Sequence, residues 1–164
     1  MNIDAYLNLL HTASPPNVSF GTGGVAFFPA AEIRDAQDGY AMDPDGVPLT
    51  GNGEGDWRPS WLVIARETRC GDPIFIDLDQ PGMPVHTAMH GMGDWEPERI
   101  ADSAELFFRA LESVRSVAAG REHPVALAAN PLADAERGTV LREIAAMNPR
   151  SEPGFWESLL EEDL

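Results

Sequence analysis

The hydrophobic period of the chain changes near Asp102, and this change limits the folds that the sequence can adopt. Before it, short apolar or alternating runs lie between glycine and proline turns, at residues 61–66, 74–78, 84–88 and 99–101. After it, apolar residues recur at the spacing of one helix face, at Phe107, Leu111, Val114 and Ala118. Strands in the middle of the chain, flanked by helices without βαβ alternation, predict the α+β class.

The amino-terminal part of the chain predicts shorter elements. Residues 3–11 carry one apolar face and form a helix that ends in the proline-rich segment after it. A glycine turn at residues 21–24 leads into a strand at 25–28, and Pro29 then opens a second helix through residue 37. Residues 43–59 are rich in glycine, proline and aspartate, so we expect an exposed loop there.

The carboxy-terminal part of the chain predicts three helices. Asp102 and Glu105 have the spacing of a capping box, and Gly120 supplies the stop of the helix that they begin. Residues 123–128 form a strand or an extended linker in this interpretation. Two further helices follow, at residues 134–147 and 153–160.

Length and cysteine content favour one soluble domain. A chain of 164 residues can bury a core without covalent staples, so we expect a single domain over residues 1–164. The one cysteine, Cys70, excludes an internal disulfide and fits a reducing compartment. The first ten residues lack the basic region of a signal peptide, and no apolar run has the length of a membrane span. We therefore expect a cytoplasmic location.

The net charge of the chain narrows the classes of partner. It is −16, from 27 acidic residues against 11 basic ones, all of them arginine. Such a field repels phosphate backbones and anionic lipid, so no direct nucleic-acid or membrane binding is expected. It attracts a basic protein and speeds the encounter with it. The alternative interpretation is a solvated surface that only keeps the protein soluble.

Candidate catalytic residues are few. His86 and His90 have the i, i+4 spacing of a zinc protease motif, but the glutamate of that motif is missing and Pro84 favours a strand. Cys70 lies in a turn beside Arg69, which can activate a thiol, yet no base is adjacent in the sequence. We predict no catalytic residue, no metal and no cofactor; a small hydrolase or metalloprotein built on Cys70, His86 and His90 is the alternative.

Tryptophans beside carboxylates mark the candidate partner-binding surface. Aromatic anchors with a charged rim are typical of protein interfaces, although large aromatic residues also fill cores. The acidic loop and the two Asp-Trp pairs supply the predicted contact residues Asp43, Asp45, Glu54, Asp56, Trp57, Asp94, Trp95 and Glu96.

Residues 23 to about 114 resemble the SUKH superfamily, which is named partly for a fungal regulator of cell-wall synthesis. Gly23-Gly24 and the segment 27–33 resemble the glycine turn, strand and helix of that family. Residues 61–65 and 70–77 resemble its pair of apolar strands around a glycine-aspartate turn. Its closing strands and the helix after them are matched by residues 84–85, 94–95, 100–103 and 107–108. The amino-terminal lead-in of the family is shortened here.

The resemblance implies a single mixed, mainly antiparallel sheet flanked by helices, and no catalytic constellation. It places the common core at about residues 23–118 and makes residues 121–164 a helical carboxy-terminal extension. Bacterial members are commonly immunity proteins that neutralise polymorphic toxins, often nucleases. The function that we expect is therefore neutralisation of a cognate basic toxin, with an intracellular scaffold or regulatory protein as the alternative.

Overall fold

A computed structural model describes residues 3–161 of the chain. Six strands form one sheet: β1 (Val18–Phe20), β2 (Gly23–Phe27), β3 (Trp61–Glu67), β4 (Pro73–Asp77), β5 (Val85–Thr87) and β6 (Glu98–Ala101). Five helices accompany it: α1 (Asp4–Ala13), α2 (Ala104–Ala118), α3 (Pro124–Ala129), α4 (Asp134–Met147) and α5 (Gly154–Leu159). None of the helices described in this range has the length and apolar composition needed to cross a membrane.

The strands follow one another in the sheet in chain order, β1 to β6. The predicted α+β class with a single, mainly antiparallel sheet is confirmed. Each pair of neighbouring named strands is antiparallel, so the named strands contain none of the parallel pairing that a mixed sheet includes. Antiparallel neighbours need no crossover helix, and the connections between them vary in length, from residues 21–22 between β1 and β2 to residues 28–60 between β2 and β3.

The two faces of the sheet are covered differently. Side chains alternate along a strand, so Leu62 and Ile64 of β3 point to one face and Trp61 and Val63 to the other. The first face packs against α2 and joins one large core that extends from the first helix to the last. The second face carries a smaller core, which irregular segments cover instead of helices: Ala41, Trp57, Trp61, Val63, Phe75 and Ala88.

Strand β1 was missed from the sequence. It forms a two-residue hairpin with β2, in which Gly21 has a φ of 56° and Gly23 and Gly24 belong to the second strand. A Cβ atom at position 24 would overlap the backbone carbonyl oxygen of Val18, so only glycine allows the two strands to approach so closely. The predicted glycine turn at 21–24 is therefore a shorter turn followed by a strand.

The predicted helix at residues 29–37 is wrong. These residues form turns and end in a 3₁₀-helix at Asp35–Gln37. The buried carboxamide of Gln37 accepts a hydrogen bond from the Val63 amide (2.9 Å) and donates to the Val63 carbonyl oxygen (2.9 Å). The side chain thus pairs with β3 beyond the end of β2, and this tertiary contact overrides the local preference for a helix.

Two further predictions, the cap of α2 and the element at residues 123–128, need correction. The amino-terminal cap of α2 is Ser103, whose hydroxyl oxygen accepts a hydrogen bond from the Leu106 amide (3.1 Å). The predicted capping residue, Asp102, is buried, and its backbone amide donates to the Asn148 side chain. The predicted strand or linker at 123–128 is the helix α3, in which Pro124 occupies the first turn, where its missing N–H costs nothing. The helix predicted at residues 134–147 is confirmed with the same bounds.

Candidate protein-binding surface

Trp57 is the centre of the smaller core. Its indole lies 4.6 Å from the Phe75 ring and 5.3 Å from the Trp61 ring, measured between centroids. Tyr40 and Trp95 pack on it from the covering segments at 5.1 Å and 5.0 Å. The indole N–H donates to the Trp61 carbonyl oxygen (3.3 Å), so the buried side chain has no unmet polar group.

The segments that cover this core are joined to each other beside Trp57. The Trp95 amide donates to the Gly55 carbonyl oxygen (2.8 Å). Gly55 has a φ of 79°, and a Cβ atom there would come within 2.7 Å of an Asp94 carboxylate oxygen. Asp56 accepts a hydrogen bond from the Gly53 amide (2.7 Å), which folds the loop back on itself. The glycine-rich loop therefore has a defined shape rather than serving as a spacer.

Between these segments lies a groove of about 400 Å³, which we call groove A. Trp61 and Trp95 are among its lining residues, and Arg58 is the one basic residue that lines it in the described part of the chain. Four carboxylates line it: Glu54, Asp56, Asp94 and Glu96.

A second groove of about 530 Å³, groove B, lies next to the first. The two grooves share Asp94, Glu96 and Pro97. Groove B adds the exposed side chains of Met89 and Met92 and no basic residue from the part of the chain that the structure describes. We call the carboxylates that line the two grooves the acidic surface: Glu54, Asp56, Asp72, Asp94, Glu96, Glu98 and Glu152.

The predicted contact residues are divided by the structure. Five of them line groove A: Glu54, Asp56, Asp94, Trp95 and Glu96. Trp57 lies beneath this groove with 1% of its surface exposed, so it supports the surface and does not form it. Asp43 and Asp45 lie in neither groove; the Asp43 carboxylate accepts hydrogen bonds from the Asp45 and Val47 amides and shapes a turn.

The residues that groove B adds are not predicted from the sequence. Asp72 follows the turn before β4, Glu98 begins β6, and Glu152 precedes α5. These three carboxylates are far apart in the chain, and only the fold brings them together. Met92 lies between Gly91 and Gly93 in a turn-rich segment, which is a weak local sign of exposure, and Met89 has no such sign.

The alternative prediction, a small hydrolase or metalloprotein, depends on three residues that differ in burial and in hydrogen-bond partners. His86 is buried in β5, whereas His90 is exposed and its Nδ1 lies 2.7 Å from an Asp72 carboxylate oxygen. Cys70 is exposed, and its backbone amide donates to Glu67 (2.6 Å). Within residues 3–161, no group of three or more histidine, cysteine, aspartate or glutamate side chains is arranged to hold a metal ion.

His86 should make the stability of the fold depend on pH. Burial, and secondarily the positive charge of Arg99, lower the pKa of His86 from 6.5 to about 4. The unfolded chain therefore binds this proton between about pH 6.5 and pH 4 while the folded chain does not, so the free energy of unfolding falls as the pH drops through this window. The variant His86→Phe keeps an aromatic ring beside Phe75 but does not titrate.

Between pH 7 and pH 4, we expect the free energy of unfolding of the wild type to fall by about 2–3 kcal/mol more than that of His86→Phe. Urea unfolding of both proteins at the two pH values measures this difference directly. Carboxylates titrate in both proteins and cancel in the comparison. An equal loss in the two proteins would show that His86 is protonated in the folded state.

Comparison with protein-family models, with curated proteins and with solved structures finds no match to this chain. The resemblance to the SUKH superfamily therefore stays a prediction, and so does the function that it implies.

Proposed function

We propose that this protein binds a cationic protein through its acidic surface, and that it acts in the cytoplasm as a non-catalytic immunity-type protein that neutralises a basic toxin. The observation that supports binding is the composition of the two grooves. Seven carboxylates and one arginine line them in the described structure, and the two grooves have Asp94, Glu96 and Pro97 in common. The resemblance to the SUKH superfamily supports the toxin as the partner.

The physical basis of the proposal is the sign and the concentration of charge. Carboxylates that line a concave surface focus the field and raise the rate at which a positively charged partner associates. The same field repels polyanions such as nucleic acid. An enzyme that acts on nucleic acid has a basic substrate-binding site, so the acidic surface would compete with the substrate for that site. The half-buried indole of Trp95, which lines groove A, offers a cation–π contact to arginine or lysine side chains of the partner.

Neutralising the acidic surface tests the proposal. The variant Glu54→Gln/Asp94→Asn/Glu96→Gln removes three carboxylates that form none of the hydrogen bonds shaping the loop. We expect it to weaken capture of the partner by about tenfold or more, since each partly exposed ion pair contributes up to about 1 kcal/mol. The measurement is quantitative pull-down from the native cell at low and at moderate salt, followed by titration of the captured protein.

A matched control separates local charge from net charge. The variant Glu105→Gln/Glu136→Gln/Glu143→Gln neutralises three exposed carboxylates on α2 and α4. Both triple variants change the formal net charge from −16 to −13. We expect the control to retain wild-type affinity. Equal weakening in both variants, or no weakening in either, would contradict binding at the acidic surface.

Arg58 offers a test in the opposite direction. It is the basic residue of groove A, so it repels a cationic partner. We expect Arg58→Gln to raise the affinity for the captured partner by about two- to fivefold. Arg109→Gln on α2 makes the same change in net charge and should leave the affinity unchanged. Titration calorimetry on both variants decides this, and a weaker complex in Arg58→Gln would argue for an acidic partner.

The captured protein also separates immunity from the scaffold alternative. An immunity protein blocks an enzyme, so adding one equivalent should abolish the activity of the captured protein on its own substrate. A captured protein whose activity is unchanged at saturation would support the intracellular scaffold or regulator instead.

A further inference from the structure

The segment between β5 and β6, residues 88–97, presents two large apolar side chains to the exterior. We call it the 88–97 loop. Met89 is 64% exposed and Met92 is 70% exposed. Gly91 and Gly93 have φ values of 78° and 93°, and a Cβ atom at either position would meet nothing within 4 Å. The tip of the loop therefore projects away from the rest of the protein.

The loop is nevertheless fixed at both ends. The backbone amide and the Nδ1 atom of His90 lie 3.0 Å and 2.7 Å from one Asp72 carboxylate oxygen. At the other end, the Trp95 ring packs on Trp57, and the Trp95 amide bonds to Gly55. The methionines are thus held on the surface by an ordered loop, which lowers the entropy cost of using them in a contact.

The chemistry of groove B restricts what covers these methionines. Met89, Met92 and Pro97 supply apolar surface, and the surrounding polar side chains are mostly carboxylates. A polyanion or an anionic lipid surface has the wrong sign of charge. A purely polar cation would leave the methionines in water. An occupant that pairs with the carboxylates and also covers the methionines carries positive charge and large apolar side chains on the same segment.

We propose that groove B binds a partner segment in which lysine or arginine residues are interspersed with large apolar residues, and that Met89 and Met92 form the apolar part of this contact. The proposal rests on the proposed function and names the part of the partner that the acidic surface receives. Carboxylates attract and orient the segment. The methionines, which are flexible and polarisable, fit its apolar side chains and exclude water around them.

Two synthetic peptides of equal length and charge test the inference. One alternates arginine with leucine, and the other alternates arginine with serine. We expect the wild-type protein to bind the leucine peptide about tenfold more tightly at the same salt concentration, because burial of apolar side chains against Met89 and Met92 adds to a shared electrostatic attraction. Titration calorimetry measures both affinities.

Paired substitutions locate the effect. In Met89→Gln/Met92→Gln the preference for the leucine peptide should disappear, while the affinity for the serine peptide stays at its wild-type value. The control Val47→Gln/Leu49→Gln changes two other exposed apolar side chains, 55% and 49% exposed, and should keep the full preference. Circular dichroism and thermal unfolding verify that both variants fold as the wild type does.

The outcomes separate this inference from the proposed function. Equal affinity of the wild type for the two peptides, or a preference that survives in Met89→Gln/Met92→Gln, overturns the inference and leaves the electrostatic proposal standing. Failure of both peptides to bind overturns both, as does wild-type affinity for both peptides in the variant Glu54→Gln/Asp94→Asn/Glu96→Gln. Loss of the preference in the Val47→Gln/Leu49→Gln control would place the apolar contact elsewhere.

Discussion

Replacing Trp57 with alanine should lower the free energy of unfolding by about 3–5 kcal/mol, a large part of the about 5–15 kcal/mol that holds a typical domain folded. Trp57 is 1% exposed and packs against Phe75, Trp61 and Trp95. The indole lies on Trp61 of β3 and Phe75 of β4, and these two paired strands cannot move into the cavity that its removal leaves. Truncation therefore removes the burial energy of an indole and leaves most of the void.

Urea unfolding at pH 7 measures the loss, with Trp95→Ala as the comparison. Trp95 contacts the same cluster but is only half-buried, so its truncation should cost clearly less. Trp57→Ala should also loosen the two walls of groove A, because Gly55 and Trp95 meet beside it. A Trp57→Ala protein as stable as Trp95→Ala would show that the second face of the sheet is not a packed core.

Replacing Trp156 with alanine should cost about 3–5 kcal/mol as well. Trp156 lies in α5, is 2% exposed, and its indole N–H donates to the Ile100 carbonyl oxygen of β6 (2.8 Å). Its ring packs 5.7 Å from Phe107 of α2, between centroids. The carboxy-terminal helices therefore cover the edge and one face of the sheet with the same core that α2 uses.

The variant Trp156→Phe separates packing from hydrogen bonding in this contact. It keeps most of the apolar area but leaves the Ile100 carbonyl oxygen without its donor, so we expect an intermediate loss of about 1–3 kcal/mol. Thermal and urea unfolding of both variants measure the two effects. A Trp156→Ala protein with wild-type stability would mean that residues 121–164 do not stabilise the core that the sequence predicts at about residues 23–118.

Elements with a strong local signal could be predicted from the sequence. Helix α2 and the strands β3 and β4 carry apolar patterns that their own residues determine. Strand β1 has only three residues and depends on two glycines in its neighbour, so its own sequence gives little indication of it. The segment before Gln37 looks helical locally, yet the Gln37 side chain is needed to pair with β3.

The candidate site was predictable where its residues are neighbours in sequence. The Asp94-Trp95-Glu96 run and the Glu54–Asp56 segment were identified because aromatic and acidic residues adjoin there. Nothing in the local sequence indicated that Trp57 turns inward while Trp95 stays half-exposed, since both follow an aspartate. Asp72, Glu98 and Glu152 join the surface only through the order of the strands and the position of α5.

Amide hydrogen exchange on the protein, free and bound to the partner that it captures, tests the central claim most directly. Binding at the acidic surface predicts slower exchange in residues 54–58 and 88–98, with little change in α2 and α4. Protection confined to α2 and α4, on the opposite face of the sheet, would contradict the assignment of the acidic surface as the binding site.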